Sequence, residues 1–194
     1  MCLSPIWTEK HETARRLAQR IKIVLDVANS KGFRSGENPV TAIKDAQVLP
    51  KVKVKVKHHK AMAWRDVPAF YADLKGRSAI SAKALRFTCL TGSRTGEVLG
   101  MRWEELDFYA GIWTCPEIRM KNGEDHRVPL TNEMLEIIEP LKAMQSEFVF
   151  EGQKRHAPLS NMSMLMLLRR MGIEGVTVHG FRSTFRVWAS EAIG

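Results

Sequence analysis

The chain has 194 residues, enough for one domain or for one domain with part of a second. Thirty Lys and Arg stand against twenty-one Asp and Glu, a formal charge of +9 that favours a polyanion partner, nucleic acid ahead of a membrane surface. Every apolar run is far shorter than a membrane span, no basic-then-apolar leader opens the chain, and Cys2, Cys89 and Cys115 have no zinc or disulfide-scaffold spacing, which argues against membrane, secreted and zinc-ribbon classes and for a reducing cytosol.

In chain order, residues 8–31 read as one helix. Thr8 offers a cap, Leu17, Ile21, Val24, Leu25 and Ala28 form an apolar stripe, and Gly32 is the stop. The opposite face carries Arg15, Arg16, Arg20 and Lys22. One helix cannot bury its own stripe, so the pattern calls for further helices against it. Residues 33–45 contain Gly-Glu-Asn-Pro and read as a turn or loop. Residues 50–60 alternate Lys and Val through Lys51, Lys53, Lys55 and Lys57, then end on His58-His59-Lys60. A period of two implies an extended segment with one cationic edge. It suits a linker along a phosphate backbone or a lysine-blunted edge strand.

Asp66 caps a predicted helix to Leu74, with Val67, Phe70, Tyr71 and Leu74 on one face and Gly76 as terminator. Residues 79–91 and 94–102 form a helical pair around Thr91-Gly92-Ser93. Gly92 suits the left-handed residue that closes a helix, and Ser93 suits the cap of the next. Arg94 then falls in a first turn, where a cation opposes the helix dipole by roughly 0.3–1 kcal/mol. Glu97, three residues on, can hold it. Trp103 and Leu106 are expected to pack beneath this pair. Residues 112–115 and 117–121 alternate like strands, Asn122-Gly123 is a hairpin signal, and 126–130 is the return strand, which sets Lys121 beside the turn. Thr131 caps a helix bearing Met134, Leu135, Ile138 and Leu141, and residues 148–150 form a short buried extended segment. Ser160 caps a helix bearing Met164, Leu165, Leu167, Leu168 and Met171, closed by Gly172. Phe181, Phe185 and Trp188 fall at i, i+4 and i+7, so a last helix begins near Gly180, with His179 just before it and Arg182 in its first turn.

Taken singly, Arg94 reads as a surface salt bridge, Lys121 as a solubilising turn residue and His179 as a packing residue. Together they place three cations and a histidine at element ends, where a scaffold positions site residues. Two arginines can fork onto one phosphate. A lysine can deliver a proton to a leaving alkoxide, and a histidine can accept one from a nucleophile. This is a set for phosphoryl transfer without metal or cofactor, with guanidinium groups holding the transition-state charge.

The segment Thr-Gly-Ser-Arg94-Thr-Gly-Glu97-Val-Leu-Gly-Met-Arg-Trp resembles the first arginine box of tyrosine recombinases, the phage-integrase family. Met-Lys121-Asn-Gly-Glu-Asp-His-Arg-Val-Pro-Leu resembles the family's hairpin lysine, and His179-Gly-Phe-Arg182 its His-x-x-Arg box. Order and intervening elements agree, and the chain is most similar to prophage or genomic-island integrases. The resemblance implies a mainly α (α+β) fold, a helical catalytic domain with a small antiparallel sheet or hairpin at about 112–130. It implies residues 1–45 as the tail of a helical core-DNA-binding domain, 46–60 as a basic linker carrying Lys51, Lys53, Lys55, Lys57 and Lys60, and 61–194 as the catalytic domain. Arg94 and Arg182 would clamp the scissile phosphate, Lys121 would protonate the 5′-oxygen, His179 would be the acid/base near the nucleophile, and Glu97 would support Arg94.

One element of the family pattern is missing. Its nucleophile is a tyrosine well after the His-x-x-Arg box, and here twelve residues follow Arg182, none of them tyrosine. The two tyrosines, Tyr71 and Tyr109, fall on an apolar helix face and ahead of the hairpin. The expectation is a catalytic-domain fragment, incomplete at its C-terminus and inactive by itself, whose full-length form cleaves and rejoins DNA through a 3′-phosphotyrosine. Its expected partner is double-stranded DNA at attachment-type sites, with no membrane, a monomer in solution and higher-order assembly on DNA for the full-length protein. The expected location is the bacterial cytoplasm, at the nucleoid. The alternative is a non-catalytic DNA-binding regulator that keeps the fold.

Overall fold

Helices form where the periodicities place them through most of the chain, in a computed structural model that describes residues 3–45, 48–52 and 61–193. The chain divides into two compact units, Met1–Lys57 and His58–Gly194.

The first unit contains α1 (Ser4–Trp7), α2 (His11–Ser30) and α3 (Pro39–Asp45). Thr8 does not cap the long helix. Pro5 starts a turn of its own, Thr8 closes it, and α2 begins only after Lys10. The Trp7 indole lies edge-on to His11, 4.8 Å between ring centroids, and donates to the Pro50 carbonyl at 2.9 Å. Residues 33–45 are not all loop. The Asn38 side chain accepts the Val40 N–H at 3.0 Å and donates to the Lys22 carbonyl and to Asp26, so α3 starts at Pro39. The apolar stripe is divided: Ala14 is buried, Ile21, Leu25 and Ala28 are half-buried, while Leu17 and Val24 are exposed. The expected extended run at 53–60 lies outside the described residues.

The second unit is built on α4 (Val67–Lys75), α5 (Ile80–Thr91), α6 (Thr95–Leu99), β1 (Leu106–Asp107), β2 (Ile112–Cys115), β3 (His126–Pro129), α7 (Asn132–Ile138), α8 (Ser163–Arg170) and α9 (Val178–Ala192). Helix α5 is the hub, packed against α4, α7, α8 and α9. It buries Ser81, Ala82, Ala84, Leu85, Phe87 and Thr88, small residues letting neighbours approach and large ones filling between them. Phe87 meets Trp113 and Phe150 edge-on, each at 5.7 Å, and this aromatic trio joins the helical layer to the sheet.

The fold is mainly α with one small antiparallel sheet, order β1-β2-β3. Trp113 pairs with Leu106 on one side and Val128 on the other, so the sheet's buried face is set by that register. Strand β1, only two residues long, carries no alternation of its own in the sequence. Residues 117–121 do not continue the strand: Pro116 has no N–H for the ladder, and Glu117–Arg119 turns as a 3₁₀ helix. Pairing stops at Cys115 opposite His126, and residues 116–125 form a loop, its neck closed by the Glu117 N–H donating to Asp125 at 2.8 Å. Ser160 likewise precedes its helix, accepting the Met162 N–H at 3.3 Å while α8 starts at Ser163. Thr131 does cap α7, accepting the Met134 N–H at 3.3 Å.

Two stability changes follow. Phe87→Ala empties the centre of the aromatic trio and is expected to cost about 3–5 kcal/mol, whereas Thr131→Ala removes one cap and costs about 1 kcal/mol. Urea unfolding followed by tryptophan fluorescence measures both.

Candidate phosphate-binding site

The turn from α5 to α6 is the centre of the site. Gly92 ends α5 in the left-handed region, φ +59°, and a Cβ there would meet the Phe185 ring at 3.0 Å. Ser93 is not the cap of α6, as expected from its type. It is buried, and Arg94 itself occupies the cap position in extended conformation. The cap hydrogen bond is reversed in direction: the Glu97 carboxylate reaches back and accepts the Arg94 backbone N–H at 2.7 Å. Its other oxygen accepts from the Arg94 guanidinium. Glu97 is only 3% exposed, and Arg94 is 35% exposed, so the buried carboxylate holds the arginine in place while part of the guanidinium faces outward. Arg94 thus stands against the helix dipole with its own counter-charge.

Arg182 arrives from α9. That helix starts earlier than the sequence suggests, at Val178, because Thr177 accepts the Gly180 N–H at 3.0 Å and caps it. His179 therefore lies inside the first turn, exposed, and Arg182 lies in the second, partly buried. The Arg182 guanidinium donates to the Gly92 carbonyl at 2.7 Å, two residues before Arg94. One backbone turn thus carries one arginine and receives the other.

Lys121 is exposed in the 116–125 loop, one residue before Asn122-Gly123, and Gly123 adopts φ +68°. The loop is tied through Arg119 to α6, the helix that Arg94 caps. That guanidinium donates to the Glu97 carbonyl at 3.1 Å and to both oxygens of Glu105, while the Trp113 indole donates to Glu105 at 2.9 Å. The guanidinium also occupies the space above Gly100, where a Cβ would lie 2.6 Å from it. Arg119 and Glu105 were missed in the sequence. Their pairing spans fourteen residues across two strands, and only the position of Arg119 two residues before Lys121 hinted at it.

Of the five lysines expected to bind DNA, Lys51 is exposed in the first unit, and Lys53, Lys55, Lys57 and Lys60 lie outside the described residues. Among the described residues no group of three His, Cys, Asp or Glu side chains could hold a metal ion, and no helix is long and apolar enough to cross a membrane.

The α5–α6 turn thus carries Arg94 and receives Arg182, and the loop bearing Lys121 is anchored through Arg119 to α6. Residues 60–192 match the family model described as the phage integrase family. The chain belongs to that family, and this second unit is a tyrosine recombinase catalytic domain. It is 33% identical over 178 residues to prophage integrase IntA of Escherichia coli strain K12, a match covering 89% of this chain and 42% of that protein. Two solved structures share the fold. One is a lambda integrase dimer bound to a COC′ core site (TM-score 0.68, 20% identity, 94% of this chain and 68% of that one). The other is a lambda integrase tetramer bound to a Holliday junction (TM-score 0.67, 18% identity, 95% and 56%). The chain spans less than half the length of the curated relatives it matches.

Arg119→Ala leaves the Glu105 carboxylate buried with only the indole for a partner, and should cost about 3 kcal/mol. Arg119→Lys keeps the charge but not the fork, and should recover part of that loss. Thermal unfolding of the two variants against the parent checks the order.

Proposed function

We propose that this chain supplies the phosphate-activating machinery of a site-specific DNA recombinase, an integrase that cuts and rejoins duplex DNA at attachment-type sites. The observation that carries the reading is the shared turn: the Arg182 guanidinium on the Gly92 carbonyl, two residues from an Arg94 held by buried Glu97. In this reading Arg94 and Arg182 bind the non-bridging oxygens of the scissile phosphate and neutralise the charge that develops on them. A tyrosine hydroxyl attacks phosphorus in line, the P–O5′ bond breaks, and a 3′-phosphotyrosine forms. Lys121 gives its proton to the departing 5′-oxygen, His179 takes the proton of the attacking hydroxyl, and Glu97 orients Arg94. The reverse step rejoins a strand. Residues 1–45 act as the end of a helical DNA-binding domain, and 46–60 as a basic connection whose lysines lie along the backbone. Assembly of several copies on DNA is the working form, as with the lambda integrase tetramer on its junction.

Neither tyrosine within these 194 residues serves as the nucleophile. The Tyr71 hydroxyl accepts from Arg86 at 3.4 Å, and burial pushes it up to about 12. Tyr109 is fully exposed in the β1–β2 turn, where Asp107 holds its backbone N–H. In-line attack needs a hydroxyl fixed opposite the leaving oxygen, and neither position provides that.

Two results are expected with a nicked duplex carrying the attachment-type junction. The chain forms no covalent adduct detectable by denaturing gel, and an adduct would make Tyr71 or Tyr109 the nucleophile and overturn that assignment. Hydrogen peroxide, added as an outside nucleophile, should cleave the strand, and Arg94→Ala or Arg182→Ala should slow that cleavage by roughly 10²–10³. DNA binding with no peroxide cleavage would favour the regulator that keeps the fold without its chemistry.

A further inference from the structure

A basic hairpin after Phe150 has no part in the site above. Glu151 bridges Pro158, and the neck is closed by the Gly152 N–H donating to the Ala157 carbonyl at 2.8 Å and the Leu159 N–H to the Phe150 carbonyl at 3.0 Å. The neck has no slack, because a Cβ on Gly152 would lie 2.7 Å from the Pro158 carbonyl oxygen. At the tip stand Lys154, Arg155 and His156, all exposed, and residues 152–160 contain no acid.

The tip is held from inside. Glu151 is buried, and its carboxylate accepts the backbone N–H of His156 at 2.7 Å. His156 sits at φ +55°, a left-handed conformation uncommon for a non-glycine residue, with its N–H held by Glu151. Among the described residues no carboxylate forms an ion pair with Lys154 or Arg155. A buried acid here shapes the backbone and leaves the neighbouring cations to solvent. Beside the tip runs a groove of about 830 Å³ with Lys154 and Arg170 on its rim and the Ser160 and Ser163 hydroxyls along it.

We infer that the 151–158 hairpin is a second contact with duplex DNA, with Lys154 and Arg155 each neutralising one backbone phosphate and Glu151 acting as the positioning residue that fixes the tip. The inference rests on the recombinase reading for the identity of the polyanion. A tip whose backbone is already fixed, bearing cations that no described carboxylate pairs with, suits a phosphate backbone, because part of the ordering cost is met in the fold before binding.

The experiment is a salt titration of binding to a fluorescein-labelled duplex of mixed sequence, using the whole chain. Each phosphate contact contributes about 0.9 to the slope of log affinity against log salt, so Lys154→Gln with Arg155→Gln should lower the slope by about two. An unchanged slope in that double variant, with the parent binding normally, overturns the inference and leaves the recombinase reading intact. A parent that does not bind duplex DNA at all overturns both. Glu151→Ala separates positioning from charge. It removes a negative charge, so electrostatics alone would tighten binding, whereas loss of the pin should weaken it several-fold and Glu151→Gln, which keeps an acceptor, should bind at least as well as the parent. Tighter binding by Glu151→Ala overturns the positioning role. The two surface substitutions leave the fold alone, as circular dichroism melting will show.

Discussion

The buried carboxylate of Glu97 is the constraint on which the site depends. It accepts the Arg94 N–H and the Arg94 guanidinium, and the backbone carbonyl of the same residue receives Arg119. Burying a carboxylate is expensive unless it is paired and hydrogen-bonded, and Glu97 is both. That requirement works in the site's favour. The pairing that lets Glu97 remain inside also sets the direction of Arg94 and fixes the platform on which the lysine loop rests.

Around this platform the other elements arrive by packing. Helix α9 reaches it because Phe181 stacks on Phe70 at 5.2 Å and Phe185 lies against Gly92, which turns Arg182 toward the Gly92 carbonyl. The sheet reaches it because Trp113 is buried against Phe87 and its indole engages Glu105, the partner of Arg119. The candidate site is thus assembled by the same apolar contacts that stabilise the domain. Under the proposed function, such pre-arranged cations are what electrostatic stabilisation of a phosphoryl transition state requires.

Much of this was legible in the residues. The helices bearing Leu85, Leu135, Leu168 and Phe181, the left-handed Gly92 and the Thr131 cap follow from periodicity and capping chemistry, which depend on neighbours within one or two turns. The three motifs around Arg94, Lys121 and Arg182 were likewise visible as short local patterns in a fixed order. Element ends were less so. Thr8, Ser93 and Ser160 all have the right chemistry for a cap, yet α2, α6 and α8 begin later, after Lys10, Arg94 and Met162. The strand expected at 117–121 failed because Pro116 ends the ladder one residue earlier.

The sequence by itself determined the helical class, the basic character and the residue types that a phosphate site needs, because these are properties of composition and of spacing along the chain. Tertiary structure alone decided that Arg182 meets the turn before Arg94, that Arg119 ties the lysine loop to Glu97, and that Glu151 pins a basic tip. The first two contacts join residues ninety and twenty-two positions apart. The third is local but depends on burial of Glu151 under the hairpin. Partly buried hydrogen bonds of this kind are chosen by which groups lose water together, and that is settled only when the layers close.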